Sequence, residues 1–297
     1  MTLPTTPPSV PVPHALPHPP RPVLEGPPVF GLIIVGDEIL SGKRADKHMP
    51  RLIELLGARG LQLSWAEYVG DAPDRITATL ARAFSTADVV FSCGGIGATP
   101  DDHTRQCAAR ALGEPLRLHP QAEALIRERM QDTAREQGLP YEPDRQDNVH
   151  RLNMGVFPEH ARIIPNPYNK IPGFSCHGPG GGSVHFVPGF PVMAWPMMEW
   201  VLDQHYSHLH QRHAQQERSV VIFGSMEATL TPLMERIEAQ YPAVKVFSLP
   251  SVDHAEYGRH IELGVKGPPD AVEPAYAELL QGVKGFDLKL GPELVRS

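Results

Sequence analysis

The stretch richest in possible chemistry runs Asp88-Val89-Val90-Phe91-Ser92-Cys93-Gly94-Gly95-Ile96-Gly97-Ala98-Thr99-Pro100-Asp101-Asp102-His103-Thr104, an apolar strand entering a glycine-rich turn and then a helix start. Thr99 is placed to cap that helix, Pro100 suits its first position and Asp102 completes a capping box, which points the free N–H groups of the first turn back toward the glycines. Such a turn holds an anion, and phosphate suits it well. Asp101 and Asp102 would repel a bare phosphate, so the segment predicts a phosphate site bridged by a divalent cation, with Mg, Mn and Co as candidates. A second turn, Gly36-Asp37-Glu38-Ile39-Leu40-Ser41-Gly42-Lys43, follows the first apolar run. In it Asp37 and Glu38 are candidate metal ligands or acceptors for ligand hydroxyls, and Ser41 and Lys43 lie within reach of a phosphate.

Two familiar glycine signatures do not fit. The Gly36 to Lys43 turn has five residues between its glycines and Arg44 where a P-loop needs Ser or Thr. Gly95-Ile96-Gly97 lacks the third glycine of a dinucleotide fingerprint, because Pro100 occupies its place.

The elements that must carry these turns follow from hydrophobic periodicity. Val29 to Val35 is almost wholly apolar, as in a central strand covered on both faces. A helix is expected from about Asp46 to Arg59, a strand from Leu61 to Val69, a helix from Pro73 to Phe84 and a strand from Asp88 to Ser92, with further helices at Thr104 to Leu112 and Pro120 to Gln137. Strand-helix alternation of this kind predicts a three-layer, doubly wound, mostly parallel sheet, with both turns at its carboxyl edge facing one crevice. Residues 139–191 are punctuated by Gly, Pro and Asn and read as a loop-rich binding surface, closed by a helix from Met193 to about His213. From Ser219 a strand, helix, strand, strand, helix order predicts a small α+β domain over 219–290, joined to a domain at 29–213 through polar residues around Gln215. Residues 1–28 are dominated by proline and read as a disordered or polyproline II arm.

Composition narrows the partners. The 297 residues carry a formal net charge of −7 and no clustered Lys and Arg, which argues against nucleic acid and for a small molecule. Cys93, Cys107 and Cys176 show no C-x-x-C spacing, so neither a disulfide framework nor a cysteine zinc site is expected, and a reducing cytoplasm fits. No apolar run approaches the roughly 20 residues of a membrane span, and no membrane partner is expected. His205, His208, His210 and His213 sit one turn apart in pairs, but without a completing carboxylate or cysteine they read as a wet helix face. Met193, Trp195, Met197, Met198 and Trp200 read as core or subunit interface and suggest a homo-oligomer, a dimer or trimer.

The Gly-Gly-x-Gly-x-Thr-Pro-x-Asp-x-Thr pattern resembles the signature of the molybdopterin-binding domain superfamily, which contains the molybdopterin adenylyltransferases of molybdenum cofactor synthesis. Over roughly residues 29–286 the chain is more similar still to the competence/damage-inducible protein A family, through the Gly36 to Lys43 turn, Val69-Gly70-Asp71, the Gly94 to Thr104 loop, Asn166-Pro167 leading to Pro172-Gly173-Phe174, Val187-Pro188-Gly189-Phe190-Pro191 and Gly224-Ser225-Met226-Glu227. It departs from that family at Asn166-Pro167-Tyr168-Asn169-Lys170-Ile171-Pro172-Gly173, where members show a small Gly-Thr-Ala approach, which implies a reshaped pocket. The deamidase domain of the long members is not expected here.

The resemblance implies a molybdopterin-binding-domain-like first domain that binds a phosphorylated nucleotide or pterin. It implies metal-dependent hydrolysis of a nucleoside diphosphate sugar such as ADP-ribose, with Asp102 and Asp101 as catalytic residues. Gly94, Gly95, Gly97, Thr99, Thr104, Ser41, Lys43, Asn166 and Gly189 are the expected substrate and phosphate contacts, and Asp102, Asp101 and Asp37 the expected metal ligands. A molybdopterin adenylyltransferase and a non-catalytic nucleotide- or pterin-binding protein remain as alternatives.

Overall fold

A computed structural model describes residues 29–210 and 216–296. The proline-rich arm, Gln215 and His213 lie outside the described residues. In chain order the first unit contains β1 (Phe30–Val35), α1 (Asp37–Leu40), α2 (His48–Gly57), β2 (Leu63–Val69), α3 (Pro73–Phe84), β3 (Val89–Cys93), α4 (Thr104–Leu112), β4 (Leu116–Leu118), α5 (Pro120–Glu136), α6 (Gln146–Leu152), β5 (Val156–Pro158), β6 (Arg162–Ile164), β7 (Gly173–His177), β8 (Ser183–Val187) and α7 (Pro191–His205).

Six of its strands form one sheet in the order β2-β1-β3-β8-β7-β6. β1 pairs in parallel with β2 and β3, and β3 with β8, while β7 and β6 add an antiparallel edge. The continuous apolar run of β1 explains its central place: every residue is buried. Phe30, Leu32 and Ile34 pack with Leu52, Leu55 and Leu56 of α2 and with Met197, Met198, Val201 and Leu202 of α7. Their neighbours Ile33 and Val35 pack on the other face, with Ile76, Leu80 and Phe84 of α3 and Cys107 and Ala108 of α4. Alternation along one strand thus divides the core into two layers of helix around the sheet. Met197 and Met198 are core residues of this chain, and the three cysteines are buried and free.

Three expectations are corrected. The second helix begins at His48 rather than Asp46, because the Asp46 carboxylate stays outside and accepts the N–H groups of His48 at 2.8 Å and Met49 at 3.1 Å, as a cap does. The helix after the glycines spans Thr104–Leu112 as its periodicity indicated, so it is the placing of Thr99 as its cap and Pro100 as its first residue that fails: both belong to a turn that precedes it. Residues 139–191 are loop-rich and line the cavity described below, but they also supply β8 and β7, whose pairing completes the sheet, together with β6, β5 and α6. These strands are only three to five residues long and lie between Gly and Pro turns, so no periodic window covers them.

The second unit comprises β9 (Gln216–Phe223), α8 (Glu227–Gln240), β10 (Lys245–His254), β11 (Gly258–Gly267), α9 (Pro269–Lys284) and β12 (Lys289–Arg296). Its antiparallel sheet has the order β10-β11-β9-β12, and β12 is an element the periodicity did not indicate. Val220, Ile222, Leu263 and Val265 meet Leu230, Leu233, Val272, Tyr276 and Leu279 in a separate core. No helix among the described residues is long and apolar enough to cross a membrane.

Candidate functional site

The carboxyl ends of β1, β2, β3 and β8 converge on a cavity of about 400 Å³. Its floor is the glycine turn after β3. Gly94 and Gly95 take φ of 101° and 67°, which side-chain-bearing residues rarely adopt, and a Cβ would lie 2.3 Å from the Val35 carbonyl at the first and 2.1 Å from Thr104 Oγ1 at the second. The Gly94 N–H donates to the Val187 carbonyl at 3.0 Å, continuing the sheet. Beyond it, the N–H groups of Gly95, Ile96, Gly97 and Ala98 meet no acceptor among the described residues, although all four residues line the cavity. Successive unsatisfied amides in such a turn form an anion nest.

Three side chains hold this turn in place. Thr104 is fully buried; its N–H donates to the Gly95 carbonyl at 3.0 Å and its hydroxyl to the Gly94 carbonyl at 3.2 Å. Asp102 Oδ2 accepts both the Thr99 N–H at 2.8 Å and the Thr99 hydroxyl at 2.5 Å. Thr99 therefore braces the loop, its single hydroxyl proton already engaged, and Thr104 supports the cradle from beneath without lining the cavity. Buried Arg105 donates to the Ile96 carbonyl at 2.7 Å, adding positive charge under the same turn.

Carboxylates crowd the rim. Glu38, Asp71, Asp101 and Asp102 line the cavity, whereas Asp37 does not. Asp37 exchanges hydrogen bonds with Asp71 instead: its N–H donates to Asp71 Oδ2 at 2.9 Å, and its Oδ1 accepts the Asp71 N–H at 3.2 Å. Burial pushes the Asp71 carboxyl above the usual aspartate range, and the like charges of Asp37, Glu38 and Asp101 push it further against the lowering effect of that backbone bond. Ionised carboxylates crowded in this way are relieved by a cation. Among the described residues no three His, Cys, Asp or Glu side chains converge to hold a metal by themselves. The donor set fits a hard cation of the Mg type, which takes one or two carboxylates and completes its shell with phosphate oxygens and water.

The remaining lining comes from residues that were not assigned a contact. Met154, Ile171, Met193 and Phe190 give an apolar wall, and Arg44 sits between this cavity and a neighbouring chamber of about 350 Å³ that shares Val35, Glu38, Gly189 and Phe190. The Arg44 guanidinium lies 5.8 Å from the Phe190 ring centre and 3.9 Å from Glu38. Ser41 and Lys43, beyond the end of α1, are exposed and line neither chamber. Gly189 lines both, and its carbonyl accepts a 3.1 Å hydrogen bond from His48 Nε2. Burial keeps the His48 imidazole below its ordinary pKa, against the raising effects of this bond and of the Asp46 charge. Asn166 lines the cavity, but both its N–H donors are spent inside its own loop, on Asn169 Oδ1 at 2.8 Å and the Ile171 carbonyl at 2.9 Å. Asp71, Arg44, Asn169 and the apolar wall were not singled out as contacts; the available signals were the strand's carboxyl end for Asp71, the departing loop for Asn169 and Ile171 and the Val187–Pro191 motif for Phe190.

Known proteins supply the context for this geometry. Residues 31–208 match a family described as "Probable molybdopterin binding domain". A "CinA-like protein" of Anaeromyxobacter dehalogenans is 34% identical over 161 residues, 54% of this chain and 37% of its own length. Another, of Syntrophotalea carbinolica, is 30% identical over 225 residues, 71% of this chain and 50% of its own. The chain thus spans half or less of the length of these two relatives. A crystal structure of the protein CinA with unknown function from Thermoplasma acidophilum is 29% identical with a TM-score of 0.48, covering 59% of this chain and 96% of that one.

Proposed function

The chain belongs to the probable molybdopterin binding domain family, and on that premise we propose that its cavity binds a phosphate-bearing nucleotide or pterin and hydrolyses the diphosphate of a nucleoside diphosphate sugar of the ADP-ribose type. The observation that carries this reading is the nest of unengaged N–H groups from Gly95 to Ala98, set beside carboxylates that need a counter-charge. A cavity of about 400 Å³ suits a ligand of nucleotide size better than phosphate alone.

In the proposed reaction water adds to one phosphorus, the bond from that phosphorus to the bridging oxygen breaks, and two monophosphates leave. One or two of Asp71, Asp101 and Asp102 would hold the divalent cation together with phosphate oxygens and water, and the cation when bound would supply charge neutralisation and a water of lowered pKa. Asp37 acts through Asp71 by fixing its carboxylate. The Gly95 to Ala98 amides donate to the phosphate oxygens as charge builds on them, and they stand in place before the ligand arrives because Thr104 and Asp102 hold the loop. Arg44 offers the chain's own positive charge at the junction of the two chambers. Phe190, Met154 and Met193 exclude water from the organic end of the ligand.

The test is incubation of the purified protein with ADP-ribose or FAD and Mg, Mn or Co, with products read by mass spectrometry. Release of AMP that depends on the cation and is lost in Asp102→Asn supports the hydrolase. Tight binding without turnover favours a non-catalytic binding protein. The family match itself favours a second reading, a pterin ligand, which molybdopterin retained through purification would support.

A further inference from the structure

The wall of the cavity opposite the glycine turn includes Asn169 and Ile171, from the loop that departs from the family pattern. Its amide orientations follow from groups that can act in one way only. The Ile171 N–H donates to Asn169 at 3.1 Å, so the atom receiving it is Oδ1, which also accepts Asn166 Nδ2 at 2.8 Å. Both lone pairs of Asn169 Oδ1 are thereby used. Among the described residues its Nδ2 has only the sulfur of Met193, at 3.3 Å, a weak acceptor. The Asn169 side chain therefore offers the cavity N–H groups and no acceptor.

The next residue is the unusual one. Lys170 has φ of 66°, a conformation that glycine or asparagine adopts more readily than lysine. Its ammonium reaches across to α5, 2.7 Å from Glu128 Oε1 and 2.5 Å from Asp132 Oδ2. We propose that Lys170 is a latch whose two ion pairs hold this loop against α5, and that it thereby positions Asn169 to donate a hydrogen bond to a ring nitrogen or carbonyl on the organic end of the ligand. The loop then selects the organic group while the glycine turn takes the phosphates. The proposal rests on the reading of the cavity as a nucleotide or pterin site. Lys170 is a positioning residue, since it does not line the cavity itself. The two carboxylates hold the Lys170 ammonium above its ordinary pKa, and the Lys170 hydrogen bond holds Asp132 below the usual range, consistent with a pair that stays charged at neutral pH.

The experiment compares Lys170→Met, which keeps the length and removes the charge, with Lys170→Arg, which restores a bidentate cation. Calorimetric titrations use ADP-ribose with Mg and, separately, inorganic pyrophosphate with Mg. Loss of one well-placed hydrogen bond predicts that Lys170→Met weakens ADP-ribose binding about 10-fold, with pyrophosphate binding within about 2-fold of wild type. Lys170→Arg recovers most of the loss. Amide exchange at Tyr168 and Ile171 quickens in Lys170→Met without a change in Tm. Unchanged ADP-ribose affinity, or an equal loss for both probes, overturns the proposal. If the wild type binds neither probe, the reading of the cavity falls and the ligand half of this proposal with it. Exchange at Tyr168 and Ile171 then still decides the latch, because it needs no ligand.

Discussion

Gly97→Ala tests whether Asp102 shapes the phosphate loop as well as carrying charge. Gly97 has a backbone that any residue can adopt, so the substitution introduces no dihedral strain; its Cβ, however, would stand 2.5 Å from Asp102 Oδ2. That distance is about 1 Å short of ordinary contact, and the carboxylate, as the end of a flexible side chain, must move. Moving it breaks the two hydrogen bonds it accepts from the Thr99 N–H and hydroxyl. At about 0.5–1.5 kcal/mol each for partly exposed bonds, the loop loses about 1–3 kcal/mol against its open forms. That is about 5- to 150-fold in a local equilibrium. Hydrogen exchange at the Thr99 amide should accelerate by that factor, and the affinity for pyrophosphate with Mg should fall in proportion, because the open loop no longer presents the Gly95 to Ala98 amides together. The Tm should stay close to wild type, since the site is at the surface and the core of α4 is untouched. Thr99 exchange and pyrophosphate affinity both equal to wild type would refute the brace, and a large drop in Tm would show that the loop is part of the global fold rather than a local unit.

Other outcomes follow from the same geometry. Thr104→Val keeps the buried volume and removes the hydroxyl that donates to the Gly94 carbonyl, so denaturant titration should register a loss of about 1 kcal/mol together with weaker pyrophosphate binding. Asp71 has a folded pKa above its unfolded one, so its ionised form opposes folding, stability from this group is gained as pH falls through the raised value, and a cation competes with a proton there. Manganese affinity should begin to fall at a pH above the ordinary aspartate range, and a midpoint at or below that range in a titration followed by paramagnetic resonance would contradict this. Glu262 is held below its ordinary pKa chiefly by its hydrogen bond from Arg296, which ties β12 into the second unit. Its stabilisation is present above the unfolded glutamate value and lost as pH falls through the lowered one, so the Tm gap between wild type and Glu262→Gln should close in acid.

Much of this protein is dictated locally. The run Phe30 to Val35 requires a strand buried on both faces wherever it folds, and the proline-led start and apolar stripe of α3 set that helix at Pro73–Phe84, as read from periodicity alone. The glycine turn is equally local, because its positive φ values restrict which residues can stand at 94 and 95. Long-range pairing decided what periodicity could not. The strands at 173–177 and 183–187 are too short and too interrupted by turns to announce themselves, and they become strands because β3 offers β8 a parallel edge and β8 then pairs antiparallel with β7. The same holds for the site: that Asp71 rather than Asp37 reaches the cavity, that Arg44 lines it while Lys43 does not, and that Thr99 spends its hydroxyl on Asp102 all depend on where separate segments meet. Backbone preference and hydrophobic period act over a few residues and are written in the chain itself, whereas the direction of a side chain at a sheet edge is set by neighbours that only folding brings within reach.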